Sequence, residues 1–191
     1  MTSEIMEVKG SVIASIPKFV RKNFGEKGFT NWLSHLSVDA KKIYFSKIND
    51  SEWYPLKIAL LEPMANISQV FYEWDLKKAA WELGRFSADS SVGTLKKFLF
   101  KVGSSVFFLN KAGEFMNGYY RPATIIVKDV REGEGIFRIT EFPEIENTVE
   151  YRIAGWIERV LEIAGNKDIS VEITSSLTKF EPYTEFLVKW K

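Results

Sequence analysis

The last third of the chain changes its hydrophobic period twice, and this constrains the fold more than any other feature. Residues 124–131 and 136–142 are rich in β-branched and aromatic side chains, and a glycine-containing loop between them predicts an antiparallel hairpin. From 149 to 164 the apolar residues recur every three or four positions, which predicts one amphipathic helix. Alternation over 169–174 and 185–190 predicts two more strands. The pattern therefore predicts an α+β fold whose β-β-α-β-β unit is a four-stranded antiparallel sheet with one packed helix.

The residues before this unit show helical periodicity. Residues 8–23, 29–36 and 75–88 each place their apolar side chains on one side of a helix. Ser37 is a candidate N-cap for a further short helix. Trp53-Tyr54-Pro55 predicts the start of another helix, because proline is favoured in a first turn.

We expect residues 1–191 to form a single compact domain. Residues 1–120 are its helical part, and residues 121–191 are the antiparallel sheet with one packed helix. The seam between the two parts falls near Arg121-Pro122, and no repeat or flexible linker interrupts the sequence.

An aromatic run from Phe98 to Tyr120 immediately precedes the sheet. Its large side chains can fill the core between the helical part and the sheet, line an apolar pocket there, or cover a self-association face. We predict that a pocket wall is formed by Phe98, Phe100, Phe107, Phe108, Phe115 and Tyr119. Arg85 is the candidate anchor for an acidic head group.

The composition excludes much of the usual chemistry. The chain has no cysteine and a single histidine, His35, and it has no glycine-rich phosphate loop and no nucleophile elbow. We therefore predict no catalytic residues, no metal site and no enzymatic activity. A net charge of +1 gives no general attraction to nucleic acid.

No apolar run approaches the roughly 18 residues that a membrane span needs. The first ten residues lack a signal-peptide core. We expect a cytoplasmic protein.

Four short motifs carry a resemblance to a known superfamily over nearly the whole chain: Trp53-Tyr54-Pro55, Leu83-Gly84-Arg85-Phe86-Ser87-Ala88, Gly118-Tyr119-Tyr120-Arg121-Pro122 and Gly155-Trp156-Ile157-Glu158. The chain resembles the superfamily of haem-dependent H-NOX domains, 4-vinyl reductase-type hydrocarbon-binding domains and TRAPP vesicle-tethering subunits. It is most similar to uncharacterised bacterial proteins of that group. The resemblance implies a helical part followed by the β-β-α-β-β unit, and a scaffold that binds apolar ligands, dimerises, or does both.

The sequence departs from this superfamily where cofactors are held. By the resemblance, the proximal histidine of an H-NOX domain belongs on residues 104–117, which contain none, and the Tyr-x-Ser-x-Arg motif belongs near 137–141, which reads Phe-Arg-Ile-Thr-Glu. Ser175, Ser176 and Thr184 stand where vinyl reductase-type domains commonly carry cysteines. We therefore expect no haem and no other cofactor.

Two functions follow as hypotheses. The first is a haem-free, non-enzymatic sensor or carrier that binds a small apolar ligand such as a lipid or hydrocarbon. The alternative is a homodimeric structural or adaptor protein that mediates protein–protein contacts without a ligand.

Overall fold

The computed structural model describes residues 5–91 and 116–191. Its elements are numbered here in chain order within those ranges. The helical part contains β1 (Glu7–Lys9), α1 (Gly10–Ile13), α2 (Ser15–Ser34), α3 (Val38–Phe45), β2 (Trp53–Pro55), a π-helical turn (Lys57–Leu61), α4 (Glu62–Phe71) and α5 (Leu76–Ser90). The second part contains β3 (Tyr120–Arg121), β4 (Thr124–Arg131), β5 (Glu134–Glu141), α6 (Asn147–Ile163), β6 (Ser170–Ser175), a 3-10 turn (Leu177–Lys179) and β7 (Thr184–Lys189).

Local sequence explains where several helices begin and bend. The Ser37 side chain accepts a hydrogen bond from the Ala40 amide, and Asp75 does the same for Lys78, so α3 and α5 both start at capping residues. Residues 8–23 and 29–36 were predicted as two separate helices. The structure differs at the start of the first, where residues 8 and 9 belong to β1 and residues 10–13 form α1, and it joins residues 15–34 in α2. The break expected between them is a kink at Gly25, whose φ of +70° is in the left-handed region.

Trp53-Tyr54-Pro55 does not start a helix, and this prediction was wrong. The three residues are β2, which pairs antiparallel with β1 through Glu7–Pro55, Val8–Tyr54 and Lys9–Trp53. The pairing joins residues more than forty positions apart, and no local pattern reveals it. β3 pairs with the other side of β1, so a small sheet of order β2-β1-β3 connects the start of the chain to residues 120–121.

The predicted four-stranded sheet and its helix are confirmed. β4, β5, β7 and β6 lie in that order and are antiparallel throughout. β4 and β5 are joined by a tight turn at Glu132-Gly133, where Gly133 has a φ of +81°. Side chains of one face are buried in the core, among them Ile125, Phe137, Ile139, Phe186 and Val188.

Helix α6 joins the sheet to the helical part, because it contacts β6 on one side and packs along α5 on the other. Glycines allow the two helices to come unusually close. A Cβ atom added to Gly84 would lie 2.1 Å from the carbonyl oxygen of Arg152, and one added to Gly155 would lie 2.2 Å from the carbonyl oxygen of Trp81. A larger residue at either position would force the backbones apart.

Candidate functional site

A buried arginine lies at the junction of the helical part and the sheet. Arg152 projects from α6 and is only 5% exposed. Its side chain reaches α1, α5 and β3, so four separate pieces of chain meet around one guanidinium group. β3 begins at Tyr120, the last residue of the aromatic run in the sequence.

The hydrogen-bond partners of Arg152 among the described residues are all neutral. One Nη2 hydrogen bond goes to the Val12 carbonyl oxygen at 2.9 Å and another to Ser87 Oγ at 2.7 Å, while Nη1 donates to the Tyr120 hydroxyl at 3.2 Å. Ser87 Oγ in turn lies 2.9 Å from Ser15 Oγ. The Nε atom of Arg152 is buried, and no acceptor for it lies in the described part of the chain.

Every other arginine in the chain forms an ion pair. Their acidic partners lie within 4 Å: Arg21 with Glu26, Arg85 with Glu158 and Glu162, Arg121 with Glu7, Arg131 with Glu134, Arg138 with Glu185, and Arg159 with Asp89 and Glu162. Arg152 is the most buried of the set and has no such partner among residues 5–91 and 116–191. Because the guanidinium group stays protonated in proteins, this part of the interior carries a positive charge that the described residues do not neutralise.

A second group of charges connects α5 and α6 nearer the surface. Arg85 pairs with Glu158 and donates to both oxygens of Glu162 at 3.0 and 2.8 Å. Trp81 Nε1 also donates to Glu158, at 2.8 Å. Arg159 bridges Asp89 and Glu162 at 2.7 and 2.6 Å. We call Arg85, Asp89, Glu158, Arg159 and Glu162 the surface clasp.

The surface clasp shifts the pKa of its central acid. Burial alone would raise the pKa of Glu162, but hydrogen bonds from Arg85 and Arg159 outweigh it and hold that pKa below its ordinary value. Burial alone would lower the pKa of the Arg85 guanidinium, but its hydrogen bonds to Glu162 and Glu158 outweigh that effect and raise the pKa. Glu162 therefore stays ionised to a lower pH in the folded protein than an unpaired glutamate does.

The residues predicted to bind a ligand are placed as follows. Phe98, Phe100, Phe107, Phe108 and Phe115 lie outside the described residues, so the pocket wall that they were predicted to form stays a prediction. Tyr119 is half-buried, and burial, with a smaller contribution from Tyr120, raises the pKa of its hydroxyl. Arg85 belongs to the surface clasp, where an acidic head group would have to compete with Glu158 and Glu162.

Arg152 is the residue that the sequence reasoning missed. It lies at the edge of the apolar stripe of α6, three positions after Val149 and one before Ile153, both of which are buried. Its position at the edge of the apolar stripe is the only local sign in the sequence that Arg152 is buried. That sign is not sufficient, because an arginine at such a position can also extend its head group into water.

A groove of about 300 Å³ lies between α5, the start of α6 and β6. Its lining includes Lys77, Trp81, Tyr151 and Glu150. The Glu150 side chain is buried and accepts hydrogen bonds from Ser176 Oγ at 2.8 Å and from Thr184 Oγ1 at 2.5 Å. These hydroxyl groups, which stand near the expected cysteine positions, thus anchor the last two strands to α6.

The chain's one histidine is exposed at the end of α2. His35 Nδ1 donates to the Asn31 carbonyl oxygen at 2.8 Å, one helical turn earlier. Within residues 5–91 and 116–191, no three or more His, Cys, Asp or Glu side chains converge in a way that could hold a metal ion. No described helix is long and apolar enough to cross a membrane.

Solved structures with the same fold are H-NOX proteins. The chain is similar to an H-NOX protein from S. oneidensis in the Fe(II)NO ligation state, with a TM-score of 0.74 and 12% identity over 96% of this chain and 99% of that one. It is also similar to an unliganded Fe(II) H-NOX protein from K. algicida, with a TM-score of 0.72 and 9% identity over 96% of each chain. The chain therefore has an H-NOX-like α+β fold.

Sequence comparison adds no closer relationship. No protein-family model matches the chain, and no curated protein is significantly similar to it. At these identities the structural likeness establishes the fold and leaves the ligand to be argued from the residues.

The residues present do not fit a histidine-ligated haem. Haem iron is held by His, Cys, Met or Tyr side chains, most often by a histidine. The chain has no cysteine, and its one histidine is exposed on the helical part and bonded to its own helix. At 137–141, the place of the expected propionate motif, Phe137 is buried in the core and Arg138 pairs with Glu185 at 2.7 Å.

Proposed function

We propose that this protein is a haem-free, non-enzymatic sensor or carrier domain that binds a small apolar ligand between its helical part and its sheet. One observation carries the proposal: an H-NOX-like fold over 96% of the chain is combined with a single histidine that lies exposed on the helical part. The S. oneidensis neighbour holds NO on Fe(II). Because residues 104–117, where the resemblance places the haem-binding histidine, contain none, we infer another kind of occupant for this fold in the present chain.

The aromatic residues that precede β3 in the sequence favour an apolar ligand. Phe98, Phe100, Phe107, Phe108 and Phe115 precede β3 in the sequence and are proposed as the wall of the pocket, with Tyr119 at its end. Ligand pockets are lined mainly by apolar and aromatic side chains with a few polar groups. Tyr120 and Phe142 extend this aromatic character into the described residues, because their ring centroids are 5.4 Å apart and both side chains are buried.

Native mass spectrometry and absorption spectroscopy of the purified full chain test the proposal. We expect a bound apolar molecule that survives purification and no Soret absorption, even when the protein is expressed with added haem. A Soret band that persists after gel filtration contradicts the haem-free proposal. A protein that carries no ligand and takes up none from a lipid extract contradicts ligand binding.

A second candidate function is supported by the outer face of the sheet. Ile126, Ile136 and Leu187 lie on the face opposite the buried one, and Ile136 and Leu187 are cross-strand partners. Ile126 is 38% exposed. A second copy of the chain that covered this face would make the protein the homodimeric adaptor of the alternative hypothesis.

Light scattering after gel filtration distinguishes this candidate. If the face forms a dimer, the wild type is dimeric and Leu187→Glu is monomeric, while Val38→Glu on exposed α3 stays dimeric. A wild type that is monomeric at high concentration rules the candidate out and leaves the ligand proposal intact.

A further inference from the structure

We infer that the ligand of this domain is an amphipathic anion, an apolar molecule with a carboxylate head group, and that Arg152 holds the head group. The inference rests on the proposed function and names the class of ligand for the same seam. It starts from a charged guanidinium group that is 5% exposed and whose partners within residues 5–91 and 116–191 are all neutral oxygens.

An unpaired charge in this position is costly. Moving a charged group from water into a protein interior costs several kcal/mol unless an opposite charge and good hydrogen bonds offset it. The other arginines of the chain obey this rule, including the half-buried Arg85 and Arg159, which pair with acids. Arg152, the most buried arginine, is the exception, because no acidic partner for it lies within residues 5–91 and 116–191.

The surroundings of Arg152 fix its guanidinium group and leave one of its donors unused. The Ser87 and Tyr120 hydroxyls and the Val12 carbonyl hold the plane of the guanidinium in place, and no described residue accepts a hydrogen bond from Nε. A carboxylate oxygen that accepted from Nε would complete the donor's hydrogen bonds and neutralise its charge at once. Charge-assisted bonds of this kind are about twice as strong as neutral ones.

The position of Arg152 explains why the ligand would also be apolar. The guanidinium contacts Tyr120, the residue directly after Tyr119 at the end of the proposed aromatic wall. The Tyr120 ring in turn lies 5.4 Å, between centroids, from the ring of the buried Phe142, so a head group at Arg152 would have buried aromatic side chains beside it. Arg85, by contrast, already has two carboxylates and is the weaker anchor.

An acid of the chain itself is the competing explanation. The acidic residues outside residues 5–91 and 116–191 are Glu4 and Glu114. If one of them neutralises Arg152, the wild type has no need of an anionic ligand, and replacing that acid by glutamine would create a preference for anions that the wild type lacks.

The experiment compares saturated fatty acids of six to sixteen carbons with the primary alcohols of the same length, by calorimetric titration of the delipidated full chain. We expect the wild type to bind at least one acid about tenfold or more tightly than its matching alcohol. Arg152→Met should bring the two affinities together by weakening the acid. Arg85→Met, which removes a guanidinium of the surface clasp, should leave the preference unchanged.

The outcomes separate the inference from the proposed function. Equal binding of acids and alcohols by the wild type overturns the inference while the apolar-ligand proposal stands. Binding of neither class overturns both. An acid preference that Arg85→Met abolishes and Arg152→Met retains assigns the anchor to Arg85. The comparison of acids with alcohols on the wild type decides the ligand class. If Arg152→Met does not fold, Arg152→Lys, which keeps the charge, identifies the anchor instead. Arg152→Lys should bind acids in preference to alcohols by a smaller factor than the wild type, and a factor of unchanged size overturns the role of Arg152.

Discussion

The α5–α6 helix pair carries two groups of arginines that differ in how their charge is balanced. In the surface clasp, Arg85 and Arg159 are each about one third exposed, and between them they pair with three acids, of which Glu162 contacts both. A short distance along the same helices, Arg152 is buried beside Ser87, and its partners in the described ranges are all neutral. One protein thus shows the ordinary treatment of an interhelical arginine and a departure from it.

The difference teaches which of the two groups serves the fold. A paired, partly exposed cluster connects two helices and is satisfied without any ligand. An uncompensated interior charge adds little to stability and needs a reason of another kind. Both groups depend on the close approach of α5 and α6 at Gly84 and Gly155.

The largest effect should come from separating the helices. Gly155→Ala places a Cβ atom 2.2 Å from the Trp81 carbonyl oxygen, so one backbone must shift, and we expect the free energy of unfolding to fall by about 3 kcal/mol. Urea unfolding followed by tryptophan fluorescence measures it. The exposed Lys78→Ala on α5 is the control and should change stability by less than about 0.5 kcal/mol. A Gly155→Ala protein as stable as the control would mean that the helices do not touch there.

Breaking the surface clasp should have a smaller effect. Arg85→Met leaves Glu158 and Glu162 with one arginine fewer, and we expect a loss of about 1–2 kcal/mol in unfolding free energy that shrinks as salt is added. The matched variant Arg131→Met removes an exposed pair with Glu134 and should cost less than about 0.5 kcal/mol. Equal losses of unfolding free energy in the two variants would show that the partial burial of the surface clasp does not increase its contribution to stability.

The pH dependence of stability should distinguish the two groups. The folded-state pKa of Glu162 is lowered, so its contribution is present above the unfolded-state pKa of about 4.3 and is lost as the pH falls through the folded value. We expect Glu162→Gln to be less stable than wild type at pH 6, by less than about 1 kcal/mol, and the gap to narrow as the pH falls below about 4. A gap that stays constant over this range contradicts the assignment. Arg152→Met should keep the wild-type pH profile.

Removing the interior charge should have the smallest effect in the ligand-free protein. Arg152→Met removes three hydrogen bonds, which destabilises the protein, but it also removes the free-energy cost of burying a charge. Because the two effects oppose each other, we expect a free energy of unfolding within about 1 kcal/mol of wild type. Protein refolded from denaturant, to remove bound molecules, is the sample to measure. A loss above about 3 kcal/mol is the signature of a broken buried ion pair and would show that an acid of the chain neutralises Arg152.

The parts of the fold that were predictable from the sequence are those with local signals. The alternation at 169–174 and the helical period from Val149 to Ala164 predicted β6 and α6, and Ser37 marked the start of α3 by its capping chemistry. The strand at Trp53–Pro55 was not predictable in this way, because three residues are too few to show a period and the partner strand lies at Glu7–Lys9.

The candidate site divides along the same line. The sequence by itself determined the β-β-α-β-β unit and, through one histidine and no cysteine, the poor fit to a histidine-ligated haem. Only the tertiary structure decided which arginine has no acidic partner among the described residues, since the hydrogen-bond partners of Arg152 are 140, 65 and 32 residues away in the chain. A hydrophobic period is a property of neighbours along the chain, whereas the balance of a charge depends on neighbours in space.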